Sequence, residues 1–235
     1  MIIESARLAA RQFFEAEFRH VFWKSVGLTV LMLMVAWFAL EAIVSTFLAP
    51  MLGPWPWVAT AVVWLTGTGM FVGMIFLIGP VSAAFAGIFL DDVAAAVEAR
   101  HYPADPPGEP MAILPGIVLS AKFLAVVAAA NFVALLLVIL PGVNFAIFFL
   151  VNAYLIGREY FQFAAMRFRT EQDAARLRRS HALTVFLAGL VVTGFMAVPI
   201  LNLATPIFAA ALMVHLHKKL AAREARQGVP GGVAA

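Results

Sequence analysis

Charged side chains are missing from residues 42 to 90, 123 to 157 and 182 to 214. The way these three apolar blocks are bounded and interrupted predicts the elements. SVGLTVLMLMVAWFALEAIVSTFL, residues 25 to 48, reaches about 36 Å as a helix, enough to cross a hydrocarbon core of about 30 Å. PMLGPWPW, residues 50 to 57, combines three prolines with Trp55 and Trp57 and predicts a short turn at the aromatic belt of a membrane interface. Val58 to Ile78 then returns, and its Gly69 and Gly73 leave room for another helix to approach. Beyond Pro80, Phe85, Phe89, Val93 and Val97 fall near one face while Asp91, Asp92, Glu98 and Arg100 mark another. The second span is therefore expected to continue as an amphipathic helix into head groups or water. HYPADPPGEP, residues 101 to 110, holds four prolines and predicts a polar loop.

The two later blocks are each too long for one crossing and each is broken. LPGVN, residues 140 to 144, interrupts Phe123 to Gly157; AVPILNLATP, residues 197 to 206, interrupts Ala182 to Val214. Measured from break to charge, residues 143 to 157 give about 22 Å, 182 to 198 about 25 Å and 206 to 214 about 13 Å. Hairpins that dip partway into the bilayer and return fit these lengths better than full crossings. Proline lacks an amide donor and clashes with the preceding turn, so Pro199 is expected to end one helix and Pro206 to open the next. At the other end of the chain, Glu4, Arg7, Arg11, Glu15, Glu17 and Arg19 alternate with Ile3, Leu8, Phe14 and Phe18. That layout predicts an amphipathic surface helix rather than a cleaved signal peptide.

Composition turns this pattern into a class. The 235-residue chain is 63% hydrophobic and 12% charged, with a mean hydropathy of +0.95, far from the soluble balance. The expected fold is an all-α integral membrane protein, with two long transmembrane helices, two proline-broken, partly penetrating hairpins and an N-terminal amphipathic helix. One domain is expected over 1–235: amphipathic lead-in 1–20, two spans with a helical extension 21–100, first hairpin 111–170, second hairpin 180–226 and a flexible tail 227–235. With two spans and two returning hairpins, all 16 Lys and Arg residues lie on one side, the cytoplasmic side by the positive-inside rule. The net charge of +3 then reflects membrane flanks, and nucleic acid is not an expected partner. The absence of cysteine excludes disulfides and metal–thiolate sites.

Candidate chemistry follows from the breaks. A helix that begins inside a membrane points free amides and the positive end of its dipole at what lies ahead. Starts after Pro141 and at Pro206 suit an anion pathway, with Gly142, Asn144 and Asn202 at the tips; compact hairpin turns are the other reading. Arg19, His20 and Lys24 cluster beside Phe18 where the lead-in meets the first span, either as a cationic vestibule for an oxyanion or as interfacial anchors. Glu41, the sole carboxylate of residues 25 to 90, is expected near the far interface. Asn152, Arg158 and Glu159 are expected to join Asp91, Asp92 and Glu98 in a structural polar network, and the charge run 167 to 179 to form a solvated or head-group-bound helix. No phosphate loop, HExxH, GxSxG or dinucleotide fingerprint is present, and His215 and His217 diverge on a helix. No enzyme, metal or cofactor is expected.

The order of these motifs carries a resemblance. FRH ahead of the first span, a proline-terminated second span followed by LDDVAAAVEARHYP, the LPGVN tip, VNAYLIGREYF and the VPILNLATP tip together resemble the CysZ-type sulfate permeases and the wider etoposide-induced membrane protein family, over most of residues 10 to 217. The resemblance implies two true spans, two half-penetrating hairpins, a homo-oligomer in the bacterial inner membrane, and sulfate uptake for cysteine synthesis. The family's anion motif, Gly-hydrophobic-Arg-Arg, falls on Glu17, Phe18, Arg19 and His20. Glu17 replaces the glycine and opposes an oxyanion with its own charge. The expected function is a multi-pass permease or channel for a small oxyanion, sulfate first, in contact with membrane lipid. A non-transporting scaffold using the same hairpins is the alternative, and a lipid enzyme comes third.

Overall fold

The structure, a computed structural model, describes residues 1–12, 15–51, 54–110 and 143–226. Among them the chain is helical with no strand: α1 (Ile2–Gln12), α2 (Ala16–Ile43), α3 (Pro56–Ile88), α4 (Leu90–His101), α5 (Val143–Met166), α6 (Glu171–Ser180), α7 (Ala182–Met196) and α8 (Thr205–Arg226). The chain divides into two compact units, His20–Ile88 and the remainder.

The unit His20–Ile88 consists of the two apolar helices. The stretches Ala16–Leu48 and Pro56–Ile75 are each long and apolar enough to cross a membrane. Their outward residues are apolar: Leu31, Val35 and Phe38 on α2, and Trp64, Leu65 and Phe71 on α3, are all exposed. Such faces have no place in water and suit lipid. Polar groups within α2 satisfy themselves locally: the Ser25 hydroxyl donates to the Val21 carbonyl at 2.9 Å and Thr29 to Ser25 at 2.8 Å. α2 passes into a π-helical turn at Val44–Leu48. Between α2 and α3 lies a cavity of about 150 Å³, with Trp37, Glu41 and Ser45 on one wall and Thr66, Gly67 and Met70 on the other. α3 runs past Pro80, as expected of a second span that continues as a helix. It ends at Ile88, and α4 begins at Leu90.

The second unit is built around α8. Every residue from Thr205 to Lys218 is buried, and α1, α4, α5 and α7 all pack on it. A helix buried on all sides must be apolar all round or pair its polar groups. IFAAALMV meets the first condition and His215 and Lys218 the second, whereas His217 packs against Phe168. The uncharged run from the break to Val214 measures about 13 Å, and the 22-residue helix that contains it about 33 Å. Beyond the apolar run the helix carries His215, His217 and Lys218 inside the fold.

Proline and glycine set the remaining geometry. α7 ends at Met196, one helical turn spans Pro199–Asn202 with Pro199 at its start, and Pro206 occupies the second position of α8. Neither proline forfeits a bond that its neighbours could make. Phe195 stacks on Phe208 across the break, centroids 4.3 Å apart. α5 and α7 approach each other backbone to backbone. A Cβ on Gly189 would lie 2.0 Å from the Ala153 carbonyl oxygen, and one on Gly157 would lie 2.7 Å from that of Val185. Small residues allow this backbone approach between helices.

Candidate functional site

The polar end of the α8 unit begins with α4. Tyr102 closes that helix, its amide donating to the Glu98 carbonyl at 2.8 Å, and Pro103 cannot extend it. Residues 102–110 then run without helix and fold back against the turn that follows α5. Here the Glu109 amide donates to the Arg167 carbonyl at 2.8 Å. Gly108 is required in this clasp, because a Cβ would meet Phe168 at 2.8 Å and Arg167 at 2.9 Å.

Arg167 joins these parts. It is 4% exposed. Its Nε donates to Glu98 Oε1 at 2.8 Å, Nη2 donates to Glu98 Oε2 and to the Gly108 carbonyl at 3.2 Å each, and Nη1 pairs with Asp91. The Gly108 amide donates to Glu98 Oε2 at 2.9 Å. A buried carboxylate gripped by a bidentate guanidinium and an amide has its lone pairs satisfied, which is what makes burying the pair tolerable. Removing Arg167 alone would leave a buried charge unpaired.

A second layer lies beside it on α8. Lys218 Nζ donates to Asp105 Oδ2 at 3.0 Å and sits 4.1 Å from the centroid of Phe168. Nδ1 of His215 lies 2.9 Å from the Tyr102 hydroxyl and its Nε2 lies 3.1 Å from Gln12 Oε1. This suits a neutral imidazole that accepts from tyrosine and donates to glutamine. Burial pushes the Tyr102 hydroxyl up to about 12, with the Asp105 charge adding to it. Gln12, Ser5 and Ala9 are the buried face of α1, so that helix docks through small and polar residues and leaves Ile3 outside. The outer ion pairs are Lys219–Glu4 at 2.9 Å and Arg169–Glu224 at 2.7 Å. Among the described residues no group of three His, Asp or Glu side chains could hold a metal.

The sequence-derived candidates fall in three places. Asp91 and Glu98 meet on Arg167, which the sequence reading had assigned to a solvated run. Asp92 is exposed. Asn152, Arg158 and Glu159 are half-buried on α5, and no ion pair joins Arg158 or Glu159 to the Arg167 cluster among the described residues. Phe18, Arg19, His20 and Lys24 all lie on α2, Phe18 buried and the other three exposed. Neither an ion pair nor a side-chain hydrogen bond occupies Arg19 among the described residues. Asn202 is exposed at the Pro199 turn. Gly142 lies outside the described residues, as does most of the LPGVN tip, and Asn144 is in the first turn of α5. Glu41 lines the cavity between α2 and α3. The buried role of Arg167 had a signal: TEQD is a capping sequence, with the Thr170 side chain accepting from the Asp173 amide at 3.2 Å. It starts α6 at Glu171 and leaves 167–169 as a turn.

No curated protein and no solved structure matches the chain. The family model described as sulfate transporter CysZ/etoposide-induced protein 2.4 matches residues 6–206, a stretch that contains α2, α3, the Arg167 clasp and both proline breaks. With two membrane-length apolar helices and an otherwise helical fold, this is a membrane protein, and it belongs to the sulfate transporter CysZ/etoposide-induced protein 2.4 family.

Proposed function

We propose that the protein is a multi-pass permease or channel of the bacterial inner membrane, passing a small oxyanion, sulfate first, toward cysteine synthesis. The observation that carries the reading is the family match over residues 6–206 of a chain with two membrane-length helices. Arg19 supports it locally. Its exposed guanidinium, free of ion pairs among the described residues, stands at the polar end of α2 with His20 and Lys24, where a planar donor fork can meet an oxyanion arriving from water. The path then follows the hairpin tips, where the helix that starts at Thr205 and Pro206 turns the positive end of its dipole toward an anion. Homo-oligomerisation is part of the proposal, as is contact with lipid through the exposed apolar faces. Passive or ion-coupled movement is the mechanism proposed, with no enzymatic step.

Purified protein reconstituted into liposomes tests this. Radiolabelled sulfate should enter above empty-vesicle background and saturate. Arg19→Ala should reduce uptake by about tenfold, the worth of one charge-assisted contact, and Glu17→Gly should raise it. Uptake equal to that of empty liposomes would remove the permease reading and favour the scaffold.

A further inference from the structure

A right-angled corner of the second unit is formed by α6 and α7, which meet at His181 with an 89° bend. α6 is amphipathic and buries Ala174 and Leu177, while α7 contains no charged residue. A polar helix set square to an apolar one places the first along a membrane surface and the second into the bilayer. α5 runs alongside, and its exposed positions Leu150 and Tyr154 recur one turn apart, each 51% exposed. On α7, Leu183 and Leu187 repeat the pattern, Leu183 at 71%. Both stripes are apolar and outward-facing, and both terminate at arginine.

Three arginines and a tyrosine gather at this terminus. Arg158 follows Tyr154 by one turn on α5, and Arg178 and Arg179 end α6. Arg178 Nε is buried and has no hydrogen-bond partner among the described residues. Its charge is disfavoured first by burial, then by the neighbouring Arg158, with Arg179 adding to the repulsion and a hydrogen bond with Tyr154 offsetting part of it. The nearest acid on α6, Asp173, is engaged by Arg176. Glu159 follows Arg158 directly and so points about 100° around the helix from it. No ion pair reaches Arg158 or Arg178 among the described residues. Like charges held together with a buried donor unmet describe a place built for an anion.

We infer that Tyr154, Arg158 and Arg178 bind the phosphate of a membrane phospholipid whose acyl chains lie along the Leu150 and Leu183 stripes. Two guanidinium forks offer paired donors to a phosphodiester's oxygens, the Tyr154 hydroxyl adds a third, and the amphipathic α6 sets their depth at the head groups. Sulfate or inorganic phosphate shares the oxyanion chemistry, but neither would use the apolar stripes.

The test uses the full chain in detergent with dioleoyl-phosphatidylglycerol as probe. Native mass spectrometry should show retained lipid, and Arg158→Gln/Arg178→Gln should weaken retention by about tenfold or more. Arg176→Gln, at an arginine already paired with Asp173, should leave it within about twofold. Arg158→Lys/Arg178→Lys keeps the charge but loses the forks, so retention should lie between the two. Thermal midpoints without added lipid identify any variant that is unfolded. Equal retention by the wild type and a folded double glutamine variant overturns the proposal. Displacement of the lipid by millimolar inorganic phosphate also overturns it, by making the site one for a soluble anion.

Discussion

His217 is 2% exposed and stacks on Phe168 with centroids 5.2 Å apart, yet neither ring nitrogen has a hydrogen-bond partner among the described residues. Burial, with Arg169 and Lys218 adding like charge, holds its ionisation down at about 3. His215 is held down to about 3 as well, by burial first and then by His101 and Lys219, with Glu4 opposing. In the unfolded chain both imidazoles take a proton near pH 6.5. Above that value both states are neutral and stability is flat. Below it the unfolded chain binds protons that the fold refuses, so stability falls as the pH drops from about 6.5 toward about 3, by up to about 1.4 kcal/mol per pH unit for each histidine. Thermal unfolding in detergent across this range should show that decline. His217→Phe should make it shallower and leave the fold as stable or more so at pH 7.5, because no hydrogen bond is given up. A decline as steep in the variant as in the wild type would mean that His217 is not the group refusing the proton. Neither histidine was recognised as buried from sequence, where only their divergence was legible; nothing local distinguishes an imidazole at the end of an apolar arm from one in water. Arg167 was missed for a different reason, because counting it into a charge run ignored the cap that begins at Thr170.

Elements were more legible than their contacts. An uncharged stretch of sufficient length specifies a membrane helix almost alone, and proline placement located the α7 and α8 ends to within a residue or two. Which glycines matter was not legible, since Gly69, Gly73, Gly157, Gly189 and Gly194 all sit in similar apolar surroundings. The structure separates them. Nothing lies within 4 Å of a Cβ at Gly69, Gly73 or Gly194, whereas Gly189 faces the Ala153 carbonyl oxygen at 2.0 Å, and backbone cannot rotate aside. Gly189→Ala should force α5 and α7 apart and cost roughly 2 to 3 kcal/mol. Gly194→Ala should be neutral or gain about 0.5 to 1 kcal/mol from helix propensity. Chemical denaturation of both variants checks the contrast, and two equal midpoints would contradict the close approach.

At the scale of the molecule, the distribution of charge predicts a sidedness that can be measured. If both apolar blocks return the chain to the side it left, α1 and α6 share a face of the membrane and the turn between α2 and α3 lies opposite. A chain with no cysteine makes the measurement direct. An impermeant maleimide applied to intact spheroplasts should label Pro54→Cys, and should label Ala10→Cys and Gln172→Cys only after permeabilisation. Labelling of Gln172→Cys from outside would require one block to be a single crossing. The family was legible because its motifs sit at the proline breaks and helix ends, which sequence records directly. The Arg167 clasp was not, because it unites residues 91, 98, 108 and 167 through folding alone. The position of α8 has a consequence for biosynthesis. α1, α4, α5 and α7 all rest against a helix that leaves the ribosome after every one of them, so their inner walls wait unsealed until Thr205 onward is delivered. Assembly of this half must therefore follow insertion, and a nascent chain stalled before Thr205 presents those bare walls to the cell's quality control.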